Sequence, residues 1–311
     1  MHRDDRAQFA REIFVASAAR FRARCSRLCL ASGGPSGMLY FSALRFIFDD
    51  DPTAFAKWRI SVCREIAGCS IGSLVGLCIC LGVDWLSCLP FCIGSPLSPS
   101  DLRILIIRLL ESRGVSPHCT MRELHAFSRI DFRTSCTDST SGTSFIFSST
   151  YTPDALVVDA VAHSCAVPLL LHDGHHHLYD GMFADNYAIT AFSPNDPLRT
   201  FAICMDLPRL YRRPSRFSAA MRLARISVAA QFNVAVSCGA FLPMHVFKIR
   251  KRIPWSGSDL GSRISSFLRL PFPLLLRDIL ELFSSEFIDQ CHAICLFIIS
   301  LCTAELTSRS P

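Results

Sequence analysis

Apolar residues along this chain occur in short continuous runs and in sets at helical spacing, and each kind predicts an element. Leu28-Cys29-Leu30-Ala31 reads as a short buried strand. Met38 to Phe48 carries Leu39, Phe41, Leu44 and Phe48 at helical spacing, and Pro52 to Arg64 predicts a second helix leading into a strand before Ser70. Ser98-Pro99-Ser100-Asp101 marks a helix start, Leu102 to Ser112 its body and Gly114 its end. Thr120-Met121-Arg122-Glu123 has capping-box spacing ahead of Leu124 and Phe127. Ile130 to Thr137 and Ser144 to Ser148 read as the strands of a hairpin, joined by the turn-rich Asp138 to Thr143. Asp154 to Cys165 returns to helical spacing through Leu156, Val157, Ala160 and Val161, and Pro168 stops it. Thr200 to Asp206 predicts a further buried strand, Phe217 to Val236 a helix, and Leu274 to Cys302 a mostly helical tail.

Length and composition change the picture in a few respects. A chain of 311 residues that is 50% hydrophobic buries a large core, which predicts one big domain plus an extension. The expected limits are an N-terminal helix or tail over 1–25, the main domain over 26–245 and a helical C-terminal extension over 246–311. The net charge of +6 comes almost wholly from Arg, since Lys stands only at 57, 248 and 251. It is diffuse, fits an anionic lipid surface weakly and gives no nucleic-acid footprint. The 16 cysteines are scattered singly, without paired C-x-x-C spacing, and read as reduced buried thiols of a cytosolic-type compartment rather than a zinc site. The expected localisation is cytoplasmic, with attachment at a membrane surface as the alternative.

No stretch reads as a membrane span. Leu74 to Gly94 is apolar but interrupted by Gly82, Asp84 and Pro90, so a buried helix and a loop explain it better. The start of the chain, with Arg3, Arg6, Arg11, Arg20, Arg22 and Arg24 around Phe9, Ile13 and Phe14, reads as a mobile or surface-docked amphipathic helix. Asp4, Asp5 and Glu12 count against a transit peptide, and no secretory apolar run is found there. Lys248 to Trp255, with Lys248, Arg250, Lys251 and Arg252 beside apolar residues, reads as a solvated turn, with a lipid-facing patch as the alternative. Leu276, Ile279, Leu280, Phe283, Phe287 and Ile294 line one side of a C-terminal helix, opposite Arg277, Glu281, Ser285 and Asp289. That helix packs on the core or lies in a lipid surface.

Three stretches carry candidate chemistry. Gly68-Cys69-Ser70-Ile71-Gly72 reads as a strand running into a sharp turn that opens a helix. A G-x-S-x-G turn holds its serine in a strained conformation with Oγ exposed above the sheet. Ser32-Gly33-Gly34-Pro35-Ser36-Gly37 is a glycine-rich turn between strand and helix. It offers backbone N–H groups to a phosphate or a developing oxyanion, or is simply a tight turn. No G-K-[ST] follows, so it is not a P-loop. Asp173 to Tyr187 reads as a turn, a short strand and a loop. Its His175-His176-His177 run points to alternate faces and predicts an exposed hairpin rather than a metal site.

In this order the three stretches, with Asp180-Gly181 and Asn186 in the last, resemble the patatin-like phospholipase family. The connecting text agrees, from Thr120 to Leu124, through Thr137-Asp138 and the Ser141-Gly142 turn before Phe147-Ser148, to Ala160 through Pro168. The resemblance covers roughly residues 27 to 206. It implies a three-layer α/β/α fold around a central, mostly parallel sheet, and a Ser–Asp dyad without a catalytic histidine. Ser70 is then the nucleophile and Asp180 its partner. The Gly33 and Gly34 amides form the oxyanion hole, and Gly37, Gly68, Gly72 and Gly181 support the motifs. The family's first loop glycine is Ser32 here, its basic residue before the last loop glycine is Ser36, and Met182 stands where it has a small residue. The first two bear on the oxyanion loop and on attraction to a head group; Met182 adds bulk beside the dyad.

The implied activity is a lipid acyl hydrolase that needs no cofactor and meets phospholipid or acylglycerol esters at a membrane or lipid-droplet surface. A general carboxylesterase or transacylase is the alternative within enzymes. A catalytically inactive patatin-fold lipid-binding or interaction protein is the alternative outside them. A solvated aspartate titrates at about 3.9, too low for a base acting on a hydroxyl near neutral pH. Such a site must therefore desolvate Asp180 or couple proton transfer tightly to attack.

Overall fold

The computed structural model describes residues 16–33, 37, 39–83, 98–167, 171, 176–188, 191–192, 196, 198–206 and 246–250. Two compact units divide the chain. One comprises Met1–Leu207 with Met221–Ile249, and the other Pro208–Ala220 with Arg250–Pro311. The helices expected over Phe217 to Val236 and Leu274 to Cys302 lie outside the described residues.

The first unit begins with a helix over 16–24 (α1) and continues β1 (Arg27–Leu30), α2 (Leu39–Ile47), α3 (Pro52–Ser61), β2 (Glu65–Cys69) and α4 (Ile71–Cys80). There follow α5 (Pro99–Glu111), α6 (Met121–Ser128), β3 (Asp131–Asp138), β4 (Thr143–Ser148), α7 (Val157–Ser164), β5 (Leu178–Asp180), a 3-10 turn (Gly181–Phe183), β6 (Thr200–Asp206) and β7 (Val246–Arg250). Local chemistry places the helix starts. Asp51 accepts from the N–H groups of Thr53 and Ala54, with Pro52 in the first turn of α3. Ser98 does the same for Asp101 ahead of α5, and the Thr120–Glu123 capping box is complete at α6.

The strands form one seven-stranded sheet in the order β4-β3-β2-β1-β6-β7, with β5 also paired to β3. The pairs β1–β2, β1–β6 and β2–β3 are parallel, while β4 and β5 run antiparallel to β3. The fold is thus mixed α/β on a central, mostly parallel sheet. Alternation along the strands separates two faces. Leu28, Leu30, Ile66, Phe132, Phe201 and Ile203 join the main core, which also contains buried residues of every helix from α1 to α7. Cys29, Ala67 and Ala202 face the other way and pack with Ala188, Ala191 and Phe192. Phe21 of α1 is fully buried, its ring 5.3 Å from Trp58 and 5.2 Å from Phe201, so this part of the N-terminal segment is docked in the core.

Two features differ from the sequence reading. Residues 248–250, read as part of a solvated turn, form β7 together with Val246 and Phe247, beside β6. Lys248 and Arg250 alternate with the apolar Phe247 and Ile249, a pattern that suits an edge strand. The strand after the histidines also has a distant partner: among the described residues, β5 pairs with β3, about forty positions earlier. No helix among the described residues is long and apolar enough to cross a membrane.

At the starting end of the central strands, charges form a network with no apparent sequence signature. Glu65 accepts from Arg27 Nε at 2.9 Å and from Arg133 at 3.1 Å, and Arg133 also holds Asp131 at 2.6 Å. Both guanidinium groups lie over the Phe192 ring, 6.0 and 5.7 Å from its centroid.

Candidate active site

Strand β2 ends at Cys69, and the next residue turns the chain into α4. Ser70 makes this turn at φ 55° and ψ −127°, a backbone conformation that non-glycine residues rarely adopt. Strain of this kind costs on the order of 1–3 kcal/mol and persists only where the surroundings impose it. The glycines on either side show how tight those surroundings are. A Cβ on Gly68 would lie 2.5 Å from the Gly72 carbonyl oxygen, and one on Gly72 only 2.1 Å from that of Leu30. A serine at a helix N-cap normally spends its oxygen on the first-turn N–H groups. Ser70 does not: its side chain makes no capping bond, and its backbone carbonyl accepts from Ser73 N–H instead, at 2.8 Å. The hydroxyl is left for other work.

Asp180 reaches the same place from the opposite direction. Cys69 sits opposite Ser135 on β3, and Asp180 sits opposite Cys136. Because β2 is parallel to β3 and β5 antiparallel, the two strands run head-on along one edge of β3. Their C-terminal ends meet on adjacent rungs. Ser70 and Gly181 leave the sheet together there, so residues 110 positions apart become neighbours. Gly181 is required at this junction, since a Cβ would lie 2.3 Å from the Ser135 carbonyl oxygen.

Asp180 is fully buried. Its Oδ1 accepts from Met182 N–H at 2.9 Å and from the Cys69 thiol at 3.9 Å; its Oδ2 has no hydrogen-bond partner. Burial raises the carboxyl from an ordinary 3.8 to about 6, and the nearby Ser70 hydroxyl, the Met182 N–H and the Cys69 thiol draw it back only in part. Cys136 and Cys165 line the same space. Burial and then the Asp180 charge push both thiols well up, so they stay protonated. The Asp180 carboxyl is therefore desolvated among neighbouring thiols.

The glycine-rich turn joins this junction at its edge. Ser32 N–H donates to Asn186 backbone O at 3.3 Å, and the Ser32 hydroxyl bonds Asn186 Oδ1. Tyr40 OH holds the carbonyls of Ala31 and Ser32 at 2.9 and 3.1 Å. Ser32 thus ties the first stretch to the third. Gly33 follows it and is half-buried, whereas Gly34 and Ser36 lie outside the described residues. Gly37 is buried against the serine turn, where a Cβ would lie 2.1 Å from Ile71 Cγ2. The half-buried Met182 contributes its backbone N–H to Asp180.

The sequence reading did not single out a set of hydroxyls beneath the serine. Ser73, Thr134, Ser135 and Ser164 are all fully buried. Their signal was present as polar residues on strand and helix positions otherwise occupied by apolar ones. Of the histidines, His163 stacks on Phe147 at 6.2 Å and meets His176 edge-on at 4.8 Å. His176 and His177 are exposed; His172 and His175 lie outside the described residues.

No family model and no curated protein matches the chain. Solved structures do. VipD from Legionella pneumophila matches at 13% identity and TM-score 0.44, covering 69% of this chain and 56% of that one. The type III effector protein ExoU matches at 12% identity and TM-score 0.37, covering 68% and 53%. Full-length ExoU in complex with SpcU, from the type III secretion system of Pseudomonas aeruginosa, matches at 13% identity and TM-score 0.32, covering 70% and 52%. The chain spans about half the length of these structures.

Proposed function

We propose that this chain is a serine acyl hydrolase of the patatin-like type, acting on carboxylic esters of phospholipids or acylglycerols. One observation carries the reading: a serine at a strained strand-to-helix turn, its oxygen unspent on the helix, faces a buried aspartate whose Oδ2 lacks a partner. Ser70 Oγ attacks the ester carbonyl while its proton passes to Asp180. The carbonyl oxygen becomes an oxyanion, for which the Gly33 and Gly34 amides are the candidate donors. Collapse of this adduct expels the alcohol, which takes the proton back from Asp180 and leaves an acyl-serine. Water then attacks the acyl group, giving its proton to Asp180; the adduct collapses with loss of the fatty acid, and Asp180 returns the proton to Ser70 Oγ. An alcohol in place of water makes the same site a transacylase. A carboxylate titrating near 6 is ionised at neutral pH yet far more basic than a solvated one, which suits a base acting without imidazole.

A fluorophosphonate probe on the full chain tests this. Wild type is expected to be labelled at Ser70 and to hydrolyse phospholipid vesicles. Ser70→Ala and Asp180→Asn are expected to abolish both activities, while His163→Ala retains hydrolysis. A folded wild-type protein that is neither labelled nor hydrolytic overturns the reading in favour of an inactive lipid-binding relative. Selective loss in His163→Ala points to a Ser–His–Asp triad.

A further inference from the structure

Beneath Ser70, three buried hydroxyls, those of Ser164, Ser73 and Thr134, form a chain whose direction follows from counting protons. Ser164 Oγ lies 2.7 Å from the Ser135 carbonyl oxygen, which only accepts, so the single hydroxyl proton of Ser164 goes there. Ser164 Oγ must then accept from its other partners, the Ser70 backbone N–H at 3.0 Å and the Ser73 hydroxyl at 2.7 Å. Ser73, its proton spent on Ser164, accepts in turn from Thr134, 3.0 Å away, whose hydroxyl also lies 3.4 Å from the Ala160 carbonyl. Ser135 is also the residue paired with Cys69 on β3. The Ser164 hydroxyl therefore stands between β3 and the first residue beyond β2, where a direct ladder bond would carry the strand onward. Two residues further along, the Ala166 carbonyl accepts from Asp180 N–H at 3.0 Å. The short span 164–166 thus grips the backbone of Ser70 at one end and of Asp180 at the other.

We propose that Ser164 is a positioning residue, whose hydroxyl holds Ser70 in its reactive pose and, with the Ala166 carbonyl, sets the spacing of Ser70 and Asp180. The proposal rests on the reading of Ser70 as the nucleophile. Without the hydroxyl, Ser70 N–H, Ser73 O–H and the Ser135 carbonyl lose their common partner. Ser70 N–H is then free to bond β3 directly. That extends β2 by one residue, relaxes the positive φ and turns Oγ away from Asp180.

The test compares Ser164→Ala, Ser164→Thr and Ser164→Val in the full chain, reading the rate of fluorophosphonate labelling at Ser70 together with kcat and KM on a soluble ester. Ser164→Ala is expected to slow labelling and kcat by about 10²-fold, the cost of misplacing a reacting group by about 1 Å, with KM little changed. Thr and Val have the same shape and differ in the hydroxyl, so Thr is expected to restore most of the rate and Val none of it, whatever each does to stability. Ser73→Ala, which leaves the Ser70–Ser164 bond intact, is expected to label near the wild-type rate. The proposal is overturned if Ser164→Ala labels like wild type, if Thr is as slow as Val, or if Ser73→Ala is as slow as Ser164→Ala. Wild type that is not labelled at all refutes the proposed function itself, a result distinct from each of these.

Discussion

The Cys69 thiol lies 3.9 Å from Asp180 Oδ1 and points a weak donor at a carboxylate already buried by its neighbours. Cys136 from β3, Cys165 from the end of α7, the Ser70 hydroxyl and the Met182 N–H complete the described surroundings of that carboxyl. With Asp180 titrating near 6, kcat/KM for ester hydrolysis is expected to rise with pH through that value and then level off, as the base ionises. Cys69→Ser replaces the thiol by a stronger donor and should move the rise to lower pH. Cys69→Ala removes the donor and should move it higher. Identical pH profiles in all three proteins would rule out Asp180 as the titrating base.

The raised carboxyl also has a cost in stability. Asp180 holds its proton more tightly folded, at about 6, than unfolded, at 3.8, so the folded state binds the extra proton between these values. The stability it contributes is fully present below 3.8 and is lost as pH rises through 6. The difference corresponds to about 3 kcal/mol at 1.36 kcal/mol per unit. Asp180→Asn keeps an acceptor for Met182 N–H without the buried charge. It should therefore melt several degrees above wild type near neutral pH, with the gap closing toward about pH 4, while hydrolysing nothing. Thermal melts across pH measure this. An Asn variant no more stable than wild type near neutral pH would contradict the burial argument.

The charge network lies at the other end of the strands and should separate stability from activity. Arg133 stands between Glu65 and Asp131, whose side chains are only 18% and 13% exposed. Arg133→Leu leaves the two carboxylates facing each other without this cation and is expected to cost about 3 kcal/mol. Asp131→Asn added to that variant should recover part of the loss. Labelling of Ser70 below the melting transition should stay at the wild-type rate, because the Arg133 guanidinium is held at the starts of β2 and β3, by Glu65 and Asp131, whereas Ser70 follows the far end of β2. A melt indistinguishable from wild type, or slower labelling without loss of stability, would contradict this assignment.

Much of the fold was legible in the sequence because the information was local. Apolar spacing, the Ser98-Pro99-Ser100-Asp101 start and the Thr120–Glu123 box act over a few residues and placed the described helices to within a turn. The order of the three glycine-marked stretches located Ser70 and Asp180 as candidates, and the crowding around Gly68 and Gly72 explains why those positions take glycine. What joins the candidates was not legible. Strand β5 is three residues long, too short to carry a pattern, and its partner on β3 is chosen by register across the sheet. β7 was obscured in the same way, its alternation of apolar and charged residues running only over 247–250. The buried surroundings that raise Asp180 and the hydroxyl chain that holds Ser70 come from β2, β3, α4, α7 and the segment after it. The sequence alone determined which residues could do chemistry. The tertiary structure decided which of them meet and how dry their meeting place is, because both depend on contacts between segments that no local spacing records.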